Sequence, residues 1–210
     1  MEFGVDEAGK GPVLGPMVAA CVAAPSDALP DDVDDSKRVA PTRREAIAAT
    51  LREDPRVRVG VATIDPERID GEEDMNTLTV VAHAAAIDDA GATGAGLADA
   101  CDVDAARFAR RVAGRVEADV DLRAEHGADE SSALVGAASI VAKVERDAAL
   151  ADVADRLGEV GSGYPSDRTT RAFLREYVRE HGSLPSCARA SWKTSRDVLA
   201  SAEQSNLDAF

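Results

Sequence analysis

The chain has 210 residues, 45% of them hydrophobic, so it is long enough to bury a sizeable core. Acidic residues dominate, with 39 Asp and Glu against 24 Lys and Arg and a formal net charge of −15. There is no apolar run of roughly 18 residues and no basic start typical of a signal peptide, so we expect a cytoplasmic protein without a membrane span. Three scattered cysteines fit neither a disulfide framework nor a zinc site.

The acidity is typical of a protein that stays soluble in a very salty cytoplasm, although an ordinary acidic enzyme is the alternative. Almost all of the positive charge is arginine, since the chain has only four lysines: Lys10, Lys37, Lys143 and Lys193. Salt screens repulsion between like charges, so the net charge does not by itself exclude a nucleic-acid partner.

The first half of the chain predicts a strand hairpin, a helix and a third strand. The apolar character of residues 1–6 and 16–24 predicts two strands joined by a glycine-rich turn. Thr42, with Glu45 three residues later, has the pattern of an N-cap for a helix that ends near residue 51. Residues 57–64 then alternate in the manner of a strand.

In the second half, helices and strands alternate before two final helices. The predicted strands are 96–101 and 120–124, and the predicted helices are 76–90, 105–116, 131–157, 168–181 and 185–201. The fold class is therefore α/β, a mixed β-sheet flanked by helices. We expect a catalytic domain over residues 1–158, a C-terminal helical region over 159–201 and a flexible tail over 202–210.

Four acidic residues lie at or near the ends of these elements. Asp6 and Glu7 end the first strand, and they point to opposite sides unless the strand breaks, which the glycines after them allow. Asp99 lies in an otherwise apolar strand, where an unneutralised carboxylate is costly. Asp129 precedes the long helix. Taken singly, Asp6 and Glu7 are typical of a surface pair, and Asp129 is typical of a helix N-cap. Together, they can meet at one edge of a sheet.

Four carboxylates at one edge repel each other, and divalent cations remove that conflict. Oxygen ligands without a nearby His or Cys cluster favour Mg²⁺ or Mn²⁺ over zinc. Two such ions about 4 Å apart can activate a water molecule and stabilise the leaving oxygen of a phosphodiester. The sequence therefore predicts a two-metal phosphodiesterase.

Six motifs, in order between residue 2 and about residue 196, resemble those of the ribonuclease HII family, and Ser191-Trp192-Lys193-Thr194 is similar to its archaeal branch. The motifs are Gly4-Val5-Asp6-Glu7-Ala8-Gly9-Lys10-Gly11-Pro12, Asp35-Ser36-Lys37, Ala98-Asp99-Ala100, His126-Gly127-Ala128-Asp129, Ala137-Ala138-Ser139-Ile140-Val141-Ala142-Lys143 and Gly161-Ser162-Gly163-Tyr164-Pro165-Ser166-Asp167.

The resemblance implies a ribonuclease H-like fold and cleavage of the RNA strand of RNA–DNA hybrids. It also implies cleavage 5′ of single ribonucleotides in DNA, with 3′-hydroxyl and 5′-phosphate products and a role in primer removal and ribonucleotide repair. The metal-binding catalytic residues would be Asp6, Glu7, Asp99 and Asp129.

By the same resemblance, backbone amides of Gly9-Lys10-Gly11 would contact the 2′-hydroxyl, and Tyr164 would pack on the sugar. Lys143 would also contact substrate. Lys10 stands where arginine is frequent, so it keeps the charge but loses the planar fork.

Two C-terminal patterns suggest partners. Arg168 and Arg171 begin a row of arginines at helical spacing, which is either a solvated face or one that follows the phosphates of a duplex. Gln204, Leu207 and Phe210 resemble the peptide by which replication proteins bind the sliding clamp, although only one aromatic is present. A frayed tail is the alternative.

Other functions fit less well. The glycines lack the spacing of a P-loop, and the acidic stretch 31–35 lacks the glycine and glutamate of a calcium loop. A DNA nuclease or strand-transfer enzyme of the same superfold would not need the glycine motif and Tyr164. A catalytically silent hybrid-binding or clamp-adaptor protein would not need all four acids. No apolar face predicts an interface, so we expect a monomer.

Overall fold

The computed structural model describes residues 1–30, 33 and 39–207. The acidic stretch 31–35 falls almost entirely outside the described residues, and so do Asp35-Ser36-Lys37 and Phe210. None of the helices within the described ranges is long and apolar enough to cross a membrane.

Five strands form one mixed sheet, which confirms the predicted fold class. They are β1 (Phe3–Ala8), β2 (Met17–Ala23), β3 (Arg58–Ile64), β4 (Gly94–Asp99) and β5 (Val120–Glu125). Their order in the sheet is β3-β2-β1-β4-β5. β1 is antiparallel to β2 and parallel to β4, and β4 is parallel to β5. The carboxyl ends of β1 and β4 therefore lie at the same edge of the sheet.

Seven α-helices are present in the described residues, together with short 3₁₀ helices at Ser26–Ala28 and Ala128–Glu130. The α-helices are α1 (Pro41–Glu53), α2 (Pro66–Ile69), α3 (Met75–Asp89), α4 (Ala105–Ala113), α5 (Ala133–Leu157), α6 (Arg168–His181) and α7 (Lys193–Leu207).

The backbone divides into two compact units, and the first one contains the sheet. This unit comprises Met1–Ala8, Val18–Ile64 and Asp74–Glu145. Gly4 of β1 shows how closely its parts pack, because a Cβ atom there would lie 2.3 Å from the main chain of Leu134. The absence of a side chain at Gly4 thus allows α5 to lie directly against the central strand.

The second unit comprises Gly9–Met17, Asp65–Glu73 and the chain from Arg146 onward. Its core packs residues of the glycine-rich loop against the C-terminal helices, including Val13, Leu14, Leu150, Leu174 and Val198. A main-chain bridge between Leu14 and Ala188 joins its first and last segments.

The predicted elements are present, but several of their ends differ. Thr42 is not an N-cap, since α1 begins at Pro41 and Ala40 is in the cap position. The predicted helix 185–201 is displaced to Lys193–Leu207, because the preceding residues form turns and the Leu14–Ala188 bridge. The described chain therefore remains helical past residue 201, where the tail was expected to begin. The short helix α2 was not predicted.

Candidate active site

Asp6 and Glu7 are successive residues of strand β1, and their side chains contact different helices. It continues unbroken through Ala8, so the break that the glycines allow comes only at Gly9, with φ of +86°. Asp6 is hydrogen-bonded to Ser139 of α5, whereas Glu7 lies against His83 of α3. The two carboxylates are nevertheless close enough to act on each other electrostatically.

A chain of hydrogen bonds links Asp6 to a lysine on α5. Lys143 Nζ donates to Ser139 Oγ over 2.9 Å, and the Ser139 hydroxyl is bonded to the Asp6 carboxylate. Ser139 and Lys143 are four residues apart, so they lie on the same face of the helix. Asp6 is only 5% exposed. Lys143, predicted to contact substrate, is thus connected through Ser139 to one of the four acids.

Glu7 is held by two side chains that the sequence analysis did not identify. Glu7 Oε2 lies 2.8 Å from His83 Nε2 and accepts a hydrogen bond from Cys101 Sγ over 3.2 Å. The expectation that no His or Cys lies near the acids was therefore wrong. A lone histidine in an apolar, alanine-rich helix was the available signal, but its partner lies 76 residues away in sequence.

Asp99 and Asp129 lie beside Asp6 and Glu7. Asp99 ends β4, and its Oδ1 accepts a hydrogen bond from the main-chain N–H of Ala128 over 2.9 Å. Asp129 follows in the 3₁₀ helix and is 6% exposed. It is not the N-cap of the long helix, because α5 begins only at Ala133.

The pKa directions show that the acids converge. Burial raises the pKa of Asp6 well above its usual value of 3.8, and the charges of Glu7 and Asp99 raise it further. Burial also raises the pKa of Asp99, with added repulsion from Asp129 and Glu7. Each ionised carboxylate therefore disfavours the ionisation of its neighbours, and a bound cation would relieve this repulsion.

The four carboxylates are suitable ligands for a hard divalent ion. The four carboxylates offer only oxygen ligands, which suit Mg²⁺ or Mn²⁺. His83 and Cys101 contact the same oxygen of Glu7, so they can orient this carboxylate from outside a ring of oxygen ligands.

In the second unit, the structure brings the glycine motif to Tyr164. A Cβ atom at Gly11 would lie 3.8 Å from Cε1 of the Tyr164 ring. The ring is 44% exposed, and the guanidinium of Arg146 lies 5.3 Å from its centre. Arg146 also donates to the carbonyl of Ser162 over 2.7 Å, which fixes the loop that carries Tyr164.

Helix α6 presents its arginines to solvent. Thr170, Leu174 and Val178 face the core, whereas Arg168 and Arg171 are exposed. Asp167 caps the helix by accepting from the N–H of Thr169. The predicted arginine face is therefore exposed, and its proposed contact with phosphates stays a prediction.

A family model described as Ribonuclease HII matches residues 3–195 of this chain. The chain belongs to the ribonuclease HII family. It is 58% identical to the ribonuclease HII of Haloarcula marismortui, and the alignment covers 100% of both chains. This is a family of metal-dependent endonucleases.

Two solved structures are similar over nearly their whole length. Ribonuclease H2 from Pyrococcus horikoshii is 33% identical with a TM-score of 0.88, over 97% of this chain and 99% of that one. The PCNA:RNase HII complex from Archaeoglobus fulgidus gives 37% identity and a TM-score of 0.84, over 94% of this chain and 96% of that one. The ribonuclease H-like fold is thus confirmed, as is the kinship with halophilic archaeal relatives.

Proposed function

We propose that this protein hydrolyses the RNA strand of RNA–DNA hybrids and cuts DNA on the 5′ side of embedded ribonucleotides, leaving 3′-hydroxyl and 5′-phosphate ends. The convergence of Asp6, Glu7, Asp99 and Asp129 in a member of the ribonuclease HII family carries the proposal. Such an activity would serve primer removal and ribonucleotide repair in the cytoplasm.

The four acids would hold one or two Mg²⁺ or Mn²⁺ ions. When bound, the ions supply a polarised water nucleophile and stabilise the leaving oxygen. Ser139 would keep Asp6 in place, and His83 would do the same for Glu7. Lys143, bonded to Ser139, would add positive charge beside the scissile phosphate.

The second unit would select and hold the substrate. The main chain of Gly9-Lys10-Gly11 would contact the 2′-hydroxyl, and the half-exposed ring of Tyr164 would pack on the sugar. The region 159–201, with Arg168 and Arg171 on its exposed helix face, would follow the duplex phosphates. We expect the chain to act as a monomer.

Cleavage of two end-labelled duplexes in molar KCl tests the function. One duplex is all DNA and the other contains a single ribonucleotide, and each is incubated with Mg²⁺ or Mn²⁺. We expect cleavage of the second duplex only, and its loss in Asp99→Asn. Asp121→Asn is the matched control, because Asp121 is an exposed acid on the neighbouring strand β5.

A third duplex separates the remaining possibilities. If a hybrid with a longer RNA stretch is cut but the single ribonucleotide is not, the recognition of single sites by the Lys10 loop is wrong. If the protein binds the hybrid but cuts none of the duplexes in either metal, the alternative of a catalytically silent hybrid-binding or clamp-adaptor protein replaces the nuclease.

We also propose that the C-terminus binds a sliding clamp through Gln204, Leu207 and Phe210. The similar protein from Archaeoglobus fulgidus was solved as a PCNA:RNase HII complex, and helix α7 of this chain continues to Leu207. Deletion of residues 204–210 is expected to abolish binding to the clamp of the same organism. Cleavage should persist, because the acids lie in the other unit. Binding that survives the deletion would refute the motif.

A further inference from the structure

The largest fully buried side chain described in this protein is an arginine. Arg189 has no exposed surface, and its described hydrogen bonds go to main-chain carbonyls of the second unit rather than to a carboxylate. Its Nη2 donates to Gly9 O over 2.6 Å and Nη1 to Lys10 O over 3.0 Å. Nε and Nη2 both donate to Gly15 O, over 3.0 and 2.9 Å. One guanidinium thus holds both ends of the glycine-rich loop.

Trp192 completes this arrangement three residues later. Its ring lies under the Arg189 guanidinium, 4.9 Å from ring centre to Cζ. Its indole N–H donates to Gly11 O over 3.2 Å. The carbonyls of three consecutive residues, Gly9, Lys10 and Gly11, are therefore all turned towards the Arg189–Trp192 pair.

This orientation determines where the amides of the loop point. The peptide bonds are trans, and a planar trans peptide directs its N–H opposite to its C=O. The N–H of Lys10 belongs to the same peptide as Gly9 O, and the N–H of Gly11 to the same peptide as Lys10 O. Both N–H groups therefore point away from Arg189. The next residue, Pro12, has no N–H, so these two amides are the donors that the held peptides present.

A buried arginine is an expensive way to stabilise a fold. Its burial lowers the pKa of Arg189 to about 10, and the nearby charge of Arg146 contributes to the shift, so the group is still protonated at neutral pH. Taking a charge out of water costs several kcal/mol, as an order of magnitude, unless hydrogen bonds compensate for the lost hydration. A guanidinium offers five N–H donors in a fixed plane, which a lysine or an apolar residue cannot reproduce.

We propose that Arg189, with Trp192, is a positioning residue for ribonucleotide recognition. By holding the loop carbonyls on one side, it fixes the N–H groups of Lys10 and Gly11 in the direction from which the sugar 2′-oxygen is contacted. Gly11 also lies close to the ring expected to meet the sugar, because a Cβ atom there would be 3.8 Å from Cε1 of Tyr164. This inference rests on the proposed function.

The test measures preference for the 2′-hydroxyl rather than activity. Two duplexes that differ by one 2′-hydroxyl are bound by the full chain carrying Asp99→Asn, which prevents cleavage, and their Kd values are compared by fluorescence anisotropy in molar KCl. Adding Arg189→Lys should reduce the ratio of the two Kd values by about tenfold, equivalent to one hydrogen bond of ~1.4 kcal/mol. Trp192→Phe should reduce it by about threefold, since it removes one weaker donor.

The ratio separates positioning from general damage to the fold. A purely structural role would weaken binding of both duplexes equally and leave the ratio unchanged, which would overturn the inference. Arg156→Lys is the control, because Arg156 is exposed and its Nε donates only to Asp152 O of its own helix.

If Arg189→Lys does not fold in thermal unfolding, the Trp192→Phe ratio decides the matter. If the Asp99→Asn chain that retains Arg189 binds both duplexes equally, the proposed substrate is wrong, and this inference falls with it.

Discussion

His83 Nε2 lies 2.8 Å from Glu7 Oε2, and this bond joins the middle of helix α3 to the end of strand β1. The imidazole is fully buried and meets the ring of Phe108 edge-on, 5.1 Å between centres. When Glu7 is ionised its carboxylate has no proton to give, so Nε2 is then the donor. The buried ring therefore fixes one rotamer of an acid that is expected to bind metal.

Replacing His83 should loosen Glu7. His83→Leu removes the donor at similar volume, and we expect metal affinity to fall by about 10–100-fold, as for other residues that orient metal ligands. His83→Gln retains an N–H donor and should keep most of the affinity. Calorimetric titration with Mn²⁺ gives the comparison. Equal affinities in folded wild type and His83→Leu would show that Glu7 needs no such support.

Asp6→Asn should stabilise the metal-free protein while abolishing cleavage. The pKa of Asp6 is raised in the folded state, so its contribution to stability is present below the unfolded value of 3.8 and is lost as the pH rises through the raised pKa. At neutral pH the ionised group opposes folding, and its removal should raise Tm by about 2–4 °C for each kcal/mol gained.

Thermal unfolding in EDTA and in Mg²⁺ measures this effect. Mg²⁺ should raise the Tm of wild type more than that of Asp6→Asn. The gain from the substitution should shrink as the pH is lowered, and a gain that is constant with pH would contradict the assigned cause.

Asp167 should stabilise the Tyr164 loop in a pH-dependent manner. The main-chain N–H of Ser162, the Ser162 hydroxyl and the N–H of Thr169 lower the pKa of Asp167 to about 2. Its contribution is therefore present above the unfolded value of 3.8 and is lost as the pH falls towards 2.

Asp167→Ala should accordingly lower the urea midpoint at neutral pH, and the difference from wild type should narrow below pH 3.8. Asp167→Asn keeps an oxygen for the helix cap but cannot ionise, so it separates capping from charge. A deficit of Asp167→Ala that is independent of pH would exclude the role of charge.

Arg171→Glu should weaken binding of the duplex. Arg171 is exposed on α6 and lines a groove with Arg175 and residues of α7. If it contacts phosphate, the loss should be about tenfold in moderate salt and smaller in molar KCl, because counterion release contributes less there. Arg156→Glu reverses the charge of an exposed arginine on α5 and is the matched control. Equal effects of both substitutions would indicate only long-range repulsion.

The sequence predicted what depends on local pattern. The strand pattern placed Asp6 at the end of the first strand and Asp99 within a later one. That these strands are parallel neighbours, which brings the two acids to one edge, was found only in the structure. The ends of helices were less accurate. Helix α3 begins at Met75 rather than residue 76, and Asp74, for which no role was predicted, caps it by accepting from the N–H groups of Asn76 and Thr77.

What the sequence could not show are contacts between distant segments. Cys101 is 94 residues from Glu7, and Arg189 is 180 residues from Gly9. Arg189 belongs to none of the motifs identified in the sequence, and nothing in its neighbours indicates burial. Only the folded chain shows that its donors go to main-chain carbonyls.

Salt usually changes the affinity of a protein for a duplex and its preference for ribose together, and the burial of Arg189 separates these two properties. Dissolved ions screen exposed charges such as Arg171 but barely affect a guanidinium enclosed by protein. The salt concentration should thus control how long the protein stays on any duplex, whereas its discrimination between ribose and deoxyribose should be independent of salinity. An organism whose internal salt varies would then keep the same fidelity of ribonucleotide removal while the turnover of the enzyme on DNA changes.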